Sequence, residues 1–172
     1  MASTVEIKGL AELHKTLQEL PAKIEKNVLR GGLRAGARVL EEEAQRLVPV
    51  GIPSGSARER YGTAPGDLKK SIRVSVRTSS KTGAVRAQVK AGNKKAWYAH
   101  LVEFGTARHW IRPKNRKSLF LAGIFKEVID HPGARPKPFM RPAFDGKARA
   151  AIDAMADYIR ARLPREIKKA GK

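Results

Sequence analysis

Leu10, Leu13, Leu17 and Leu20 recur at intervals of three, four and three, which places them on one stripe of a helix and predicts a first helix over residues 8–19. Pro21 suits the first turn of a second helix, and Ile24, Val28, Ala35, Val39, Ala44 and Leu47 carry an apolar stripe on to Pro49, predicting a long helix over about 22–48. Gly31, Gly32 and Gly36 interrupt that helix at about 1 kcal/mol each, so another element is expected to approach closely there, or the helix to bend. The stretch PVGIPSGSARERYGTAPG, residues 49–66, has no apolar period and is rich in glycine and proline, which predicts a long flexible loop. Around SSKTG the period switches to two: Ile72, Val74 and Val76 on one side are answered by Val85, Ala87 and Val89 on the other, the pattern of a hairpin. Its polar positions include Arg73, Arg77, Arg86 and Lys90, a basic outer face. LFLAGIFKEVID fits a short helix or two strands broken at Ala122-Gly123, and its aromatic and β-branched content favours strands, while HPGARPKPFMRPAF reads as a proline-punctuated loop presenting Phe139 and Met140. A last helix follows, with Ala148, Ile152, Met155, Ile159 and Leu163 on its buried stripe. The expected fold is α+β: a long N-terminal helix and a C-terminal helix packed on a mostly antiparallel sheet, in a single domain over 1–172 with a mobile loop at 50–66 and a basic tail at 164–172.

Composition changes this picture in two ways. With 36 Lys plus Arg against 16 Asp plus Glu, the net charge of +20 repels itself and favours an anionic partner: nucleic acid, an acidic protein surface or an anionic membrane. The absence of cysteine removes disulfides and thiol chemistry. The first fifteen residues lack the apolar centre of a signal peptide and no apolar run reaches the ~18 residues of a membrane span, so a soluble protein with no membrane partner is expected.

Candidate chemistry concentrates in WYAHLVEFGTARHW, residues 97–110, which holds both tryptophans and the metal-capable His100, Glu103 and His109. The segment reads as a strand, on which His100 and Glu103 point to opposite faces and cannot converge on one ion. No nucleotide-binding, hydrolase or zinc-protease motif occurs elsewhere, so no catalytic, cofactor or metal residue is assigned and no enzyme is expected. Trp97, Tyr98, Leu101, Val102 and Phe104 are expected to supply core and interface contacts, Glu103 to pair with an arginine, and Gly105-Thr106 to turn the chain.

YAHLVEFGT followed by HPGARPKPFMRPAF resembles the tail-component family of long-tailed bacteriophages, also described as neck or tail-completion proteins. GLAEL at Gly9 to Leu13 and APGDLKKSI at Ala64 to Ile72 resemble two further elements of that family, so the likeness covers about residues 8–145. Ala64-Pro65 replaces the family's usual threonine, and the loop Gly51 to Thr63 is longer than its usual link. The resemblance implies a structural virion or assembly protein at the head–tail junction, without cofactor, acting as a homo-oligomeric ring of six or twelve copies against head-connector and tail-tube proteins. It would be assembled in the host cytoplasm and located in the virion neck or tail, with DNA a further partner through phosphate contacts. Tyr98, Glu103, Phe104, Gly105 and Thr106 in the first motif, and Pro138, Phe139, Arg141 and Pro142 in the second, are the expected interface or core residues. Arg73, Arg77, Arg86 and Lys90 are the expected basic surface. The competing reading is a basic nucleic-acid-binding protein acting outside any particle, for which RHWIRPKNRK, Arg108 to Lys117, mixes cations with an aromatic ring.

Overall fold

The computed structural model describes residues 22–51, 59, 62–113, 117–121 and 123–170; the helix expected over 8–19 and most of the 50–66 loop lie outside them. Its elements are helix α1 (Ala22–Leu47), a single helical turn α2 (Asp67–Ser71), strands β1 (Arg73–Thr78) and β2 (Val85–Lys90), short helix α3 (Ala99–Phe104), strands β3 (His109–Ile111), β4 (Leu119–Leu121), β5 (Ile124–Lys126) and β6 (Ile129–His131), and helix α4 (Met140–Ala170). The α+β class and the antiparallel pairing are as expected, with the strands arranged in three two-stranded ribbons, β1–β2, β3–β6 and β4–β5.

The frame is α1 against α4, running antiparallel. The three glycines of α1 explain how closely they approach. A Cβ on Gly36 would fall 2.5 Å from the Ala151 carbonyl oxygen, one on Gly32 would fall 2.8 Å from the Ile159 side chain, and one on Gly31 would overlap the Tyr158 ring. The expected close approach is therefore made by the last helix, and glycine is needed because backbone and ring occupy the space where a side chain would begin. Val28 and Ile159 form a small buried cluster at one end of this contact. The larger core lies at the other end, where Ala44, Val48, Leu68, Ile72, Ala96, Ala99, Phe139 and Ala143 pack together.

β1 and β2 pair in the register Val74↔Val89 and Val76↔Ala87, so the alternating apolar residues share a face, while Arg73↔Lys90 and Arg77↔Arg86 share the other. The apolar face packs on α1, which buries one side of the ribbon only. β3–β6 and β4–β5 are nested, with His109↔His131 and Leu119↔Lys126 in register, and make one interrupted hairpin arm closed at its base by the Thr106↔Ala134 bridge.

Two expectations are corrected. Ala99–Phe104 is a helical turn and a half, not a strand, because an apolar run this short fits either period and its neighbours decide. The proline-punctuated loop ends at Phe139, since α4 starts at Met140 and takes Pro142 into its first turn, where no intrahelical donor is lost. The helix continues through Pro164 to Ala170, so the region expected as a basic tail is helical as far as it is described.

Candidate assembly surface

The two motifs that carry the resemblance are bonded to each other. Helical geometry at 99–104 turns Glu103 inward, where it is 9% exposed, and its carboxylate accepts three backbone N–H groups at the start of α4: Phe139 at 2.8 Å and Met140 at 3.0 Å on Oε2, Arg141 at 3.2 Å on Oε1. These are the donors that a helix N-terminus leaves without partners, and a carboxylate there also meets the positive end of the helix dipole. Burial, the largest single influence, pushes the Glu103 carboxyl up, but the three donations together, with the Arg141 charge, outweigh it and hold the group below the usual glutamate range. Glu103 therefore caps a helix 36 residues away through backbone donors, and the expected arginine partner contributes only its field.

Gly105 follows with φ +71°, and a Cβ there would sit 2.5 Å from the Ala134 carbonyl oxygen, so the chain passes a neighbour that leaves no room for a side chain. Thr106 exchanges backbone hydrogen bonds with Ala134 at 2.9 and 3.1 Å, and its hydroxyl also accepts the Ala134 N–H at 2.9 Å. The Lys137 N–H donates to the Val102 carbonyl at 2.8 Å. Glu-Phe-Gly-Thr is thus a clamp on the Ala134–Arg141 segment, and it seats Phe139, which is fully buried. Tyr98 packs half-buried against the same core, and burial followed by the charge of Asp67 raises its hydroxyl pKa. Pro138, Arg141 and Pro142 have exposed side chains. Phe104 is 71% exposed and belongs to the surface of this chain, not to its core.

The helical turn also alters the metal question, because His100 and Glu103 now lie three apart on one helix instead of on opposite faces of a strand. Both Glu103 oxygens are occupied by N–H donors. His109 lies across the arm beside His131, with ring centroids 5.0 Å apart, and its Nδ1 is bonded to the Ala107 carbonyl at 2.9 Å. No group of three metal-capable side chains occurs among the described residues.

APGDLKKSI does more than the sequence reading allowed. Leu68, Ser71 and Ile72 are all buried, and the Ser71 hydroxyl donates to the Leu68 carbonyl at 2.6 Å while accepting the Gly92 N–H at 2.9 Å, tying α2 to the end of β2. The leucine-serine-isoleucine spacing at one helical turn was the available signal. Phe120, Ile124 and Phe125 are 66%, 59% and 72% exposed, and the two phenylalanine rings lie tilted at 51° with their centroids 5.0 Å apart. Between α1, α4 and β2 lies an apolar groove of about 600 Å³, lined by residues including Leu33, Ala37, Leu40, Val89, Phe144 and Ile152. Arg73, Arg77, Arg86 and Lys90 share one side of β1–β2 in the register of the ribbon. Arg73 is also structural, because its guanidinium donates to the Ser71 and Gly92 carbonyls at 2.9 and 2.7 Å.

No curated protein and no solved structure matches this chain. A family model does, described as "Bacteriophage HK97-gp10, putative tail-component", and it covers residues 11–105, more than half of the chain, ending at the glycine of the clamp. The clamped segment Ala134–Arg141 lies beyond the matched residues and is bound to them through Glu103 and Val102. By that match the chain belongs to the HK97 gp10-like family of bacteriophage tail components.

Proposed function

We propose that this protein is a non-catalytic building block of the phage particle, at the junction of head and tail, where identical subunits join head to tail as a ring of six or twelve copies. Membership of a tail-component family supports a structural role in the virion tail, with other structural proteins as neighbours. Among the described residues no helix is long and apolar enough to cross a membrane.

The observation that carries the ring is that one subunit exposes two different apolar surfaces. A ring requires a heterologous contact, in which one patch meets a different patch of the next copy. The arm offers Phe120, Ile124 and Phe125, and the groove offers an apolar trough of about 600 Å³. Charge agrees with this pairing. Arg112 to Lys126 carries five Lys or Arg and no carboxylate, while Glu41 lies next to the Leu40 position of the groove and Glu43, beside Ala44, is paired with Arg46. The occupant of each groove in this reading is the arm of a second copy, with the head-connector and tail-tube proteins on the remaining faces. Assembly would take place in the host cytoplasm.

Solution mass over a series of salt and protein concentrations tests this. Self-repulsion at +20 keeps the chain monomeric at low salt, and screening at roughly 0.3 M and above promotes association. A Phe120→Ser/Phe125→Ser variant stays monomeric throughout with its melting temperature unchanged. A wild-type chain that remains monomeric at every salt and concentration, alone and with purified tails, removes the ring. The acid-free hairpin favours a second reading, a nucleic-acid-binding protein acting outside a particle; mass that rises only on adding DNA, together with absence from purified virions, would select it.

A further inference from the structure

We infer that the outer face of the β1–β2 ribbon is a docking surface for the phosphate backbone of duplex DNA, read without regard to sequence. It goes beyond the ring and does not depend on it. Between Leu68 and Val102 the chain has nine Lys or Arg and no Asp or Glu. The register sets like charges directly opposite one another, Arg73↔Lys90 and Arg77↔Arg86, an arrangement that destabilises a strand pair. The ion pairs of the described residues use Arg46, Arg108, Arg149, Arg160 and Arg162, so Arg77, Arg86 and Lys90 have no acidic partner among them. A surface that accumulates such repulsion is relieved by an anion from outside the chain.

Two observations select DNA over an acidic protein. The outward positions are Arg73, Ser75, Arg77 and Arg86, Gln88, Lys90, without one apolar side chain. The centre of a protein interface is apolar and depleted of charge, whereas a phosphate-binding surface is polar and strongly basic. The spacing also fits. Cation rows four residues apart lie about 13 Å from each other along the strands, with the Ser75↔Gln88 row of hydrogen-bond donors midway. That span matches about four steps of roughly 3.4 Å along the duplex axis, so the two cation rows can reach separate phosphates of the backbone. Arginine, lysine, serine and glutamine are all side chains that contact phosphate. Arg73 is held in place by the Ser71 and Gly92 carbonyls, so one cation of the row is already oriented before any ligand arrives.

The test is fluorescence anisotropy of the full chain with two short duplexes of unrelated sequence, from roughly 0.05 to 0.3 M salt. Both duplexes should bind alike, with log affinity falling linearly in log salt. Arg77→Gln/Arg86→Gln should weaken binding about tenfold or more near 0.1 M and reduce the slope by about 1.8, the value for two lost phosphate contacts. Arg77→Lys/Arg86→Lys should keep most of the affinity, which separates loss of charge from loss of fold. Arg149→Gln/Arg160→Gln, the same change of charge at exposed positions of α4, should alter affinity by about twofold at most. Equal losses in the hairpin and α4 variants would reduce the effect to net charge and overturn the site. Absence of DNA binding would overturn it as well. So would displacement of DNA by polyglutamate at equal charge concentration, which would make the partner an acidic protein. The ring is read separately from the Phe120 and Phe125 variant, so either result can fail alone.

Discussion

β1–β2 and β4–β5 are both antiparallel ribbons joined by a glycine-containing turn, and they meet opposite fates. In β1–β2 the apolar residues alternate with polar ones, so a single face is sticky and α1 lies against it. Leu119-Phe120-Leu121 and Ile124-Phe125 have no alternation, so both faces of β4–β5 are apolar, and Phe120, Ile124 and Phe125 stay exposed. The first ribbon is satisfied within its own chain and spends its outer face on charge. The second has apolar surface that the described residues do not cover, at about 25 cal/mol per Å² of favourable burial still to be realised. Under the proposed ring, stability and subunit contact would rest on different aromatic residues: the buried Phe139 for the first, the exposed Phe120 and Phe125 for the second.

The sharpest way to break that contrast is to truncate one aromatic from each region. Phe139→Ala, at a fully buried site held by the clamp, should cost about 3–5 kcal/mol of unfolding free energy in denaturant titration. Phe125→Ala should change stability by no more than about 0.5 kcal/mol while abolishing salt-promoted association. A large stability loss in the second variant would mean that the arm is core, and the division would collapse. Phe104, at 71% exposure, should behave like Phe125 in the unfolding measurement.

Glu103→Gln should have the next largest effect, about 1.5–3 kcal/mol, because a charged acceptor of three N–H donors is replaced by one neutral oxygen and an amide that itself donates. The pH dependence has a defined sign. Glu103 is held below its ordinary pKa of 4.5 in the fold, so its contribution is fully present above that value and is lost as pH falls through the lowered folded value. Wild type should therefore lose stability on acidification below about pH 4.5 more steeply than the Gln variant, measured by melting temperature. Parallel curves would show that the carboxylate charge is not what anchors α4. The smallest effects are expected at the histidines. His100→Ala/His109→Ala should leave stability within about 0.5 kcal/mol and association unchanged, since one ring is exposed and the other lies on the exposed arm. Loss of a bound metal on this change, detected by elemental analysis, would contradict the structural role given to the segment.

The elements with a long or strict period were legible from residues alone. The extent of α1, Ala22–Leu47, and the two faces of the β1–β2 ribbon follow from the pattern, because a period of two admits only one assignment of faces, whereas Ala35 and Val39 of the expected stripe are only partly buried and Ala37 and Val48 enter the core instead. Gly31, Gly32 and Gly36 announced a close neighbour, since glycine at that frequency in a helix interior is unfavourable without one. Which neighbour was a tertiary decision: Tyr158, Ile159 and Ala151 are more than a hundred residues away, and nothing local to α1 names them. The same holds for Ala99–Phe104. Six residues are too few for a period to be read, and the helix is favoured because it aims Glu103 at donors that exist only where α4 begins, 36 residues later. Local periodicity determined the extent of α1 and the faces of β1–β2, and long-range hydrogen bonding determined where the clamp closes, because a free N–H at a helix end has no signature in the sequence that will supply its acceptor.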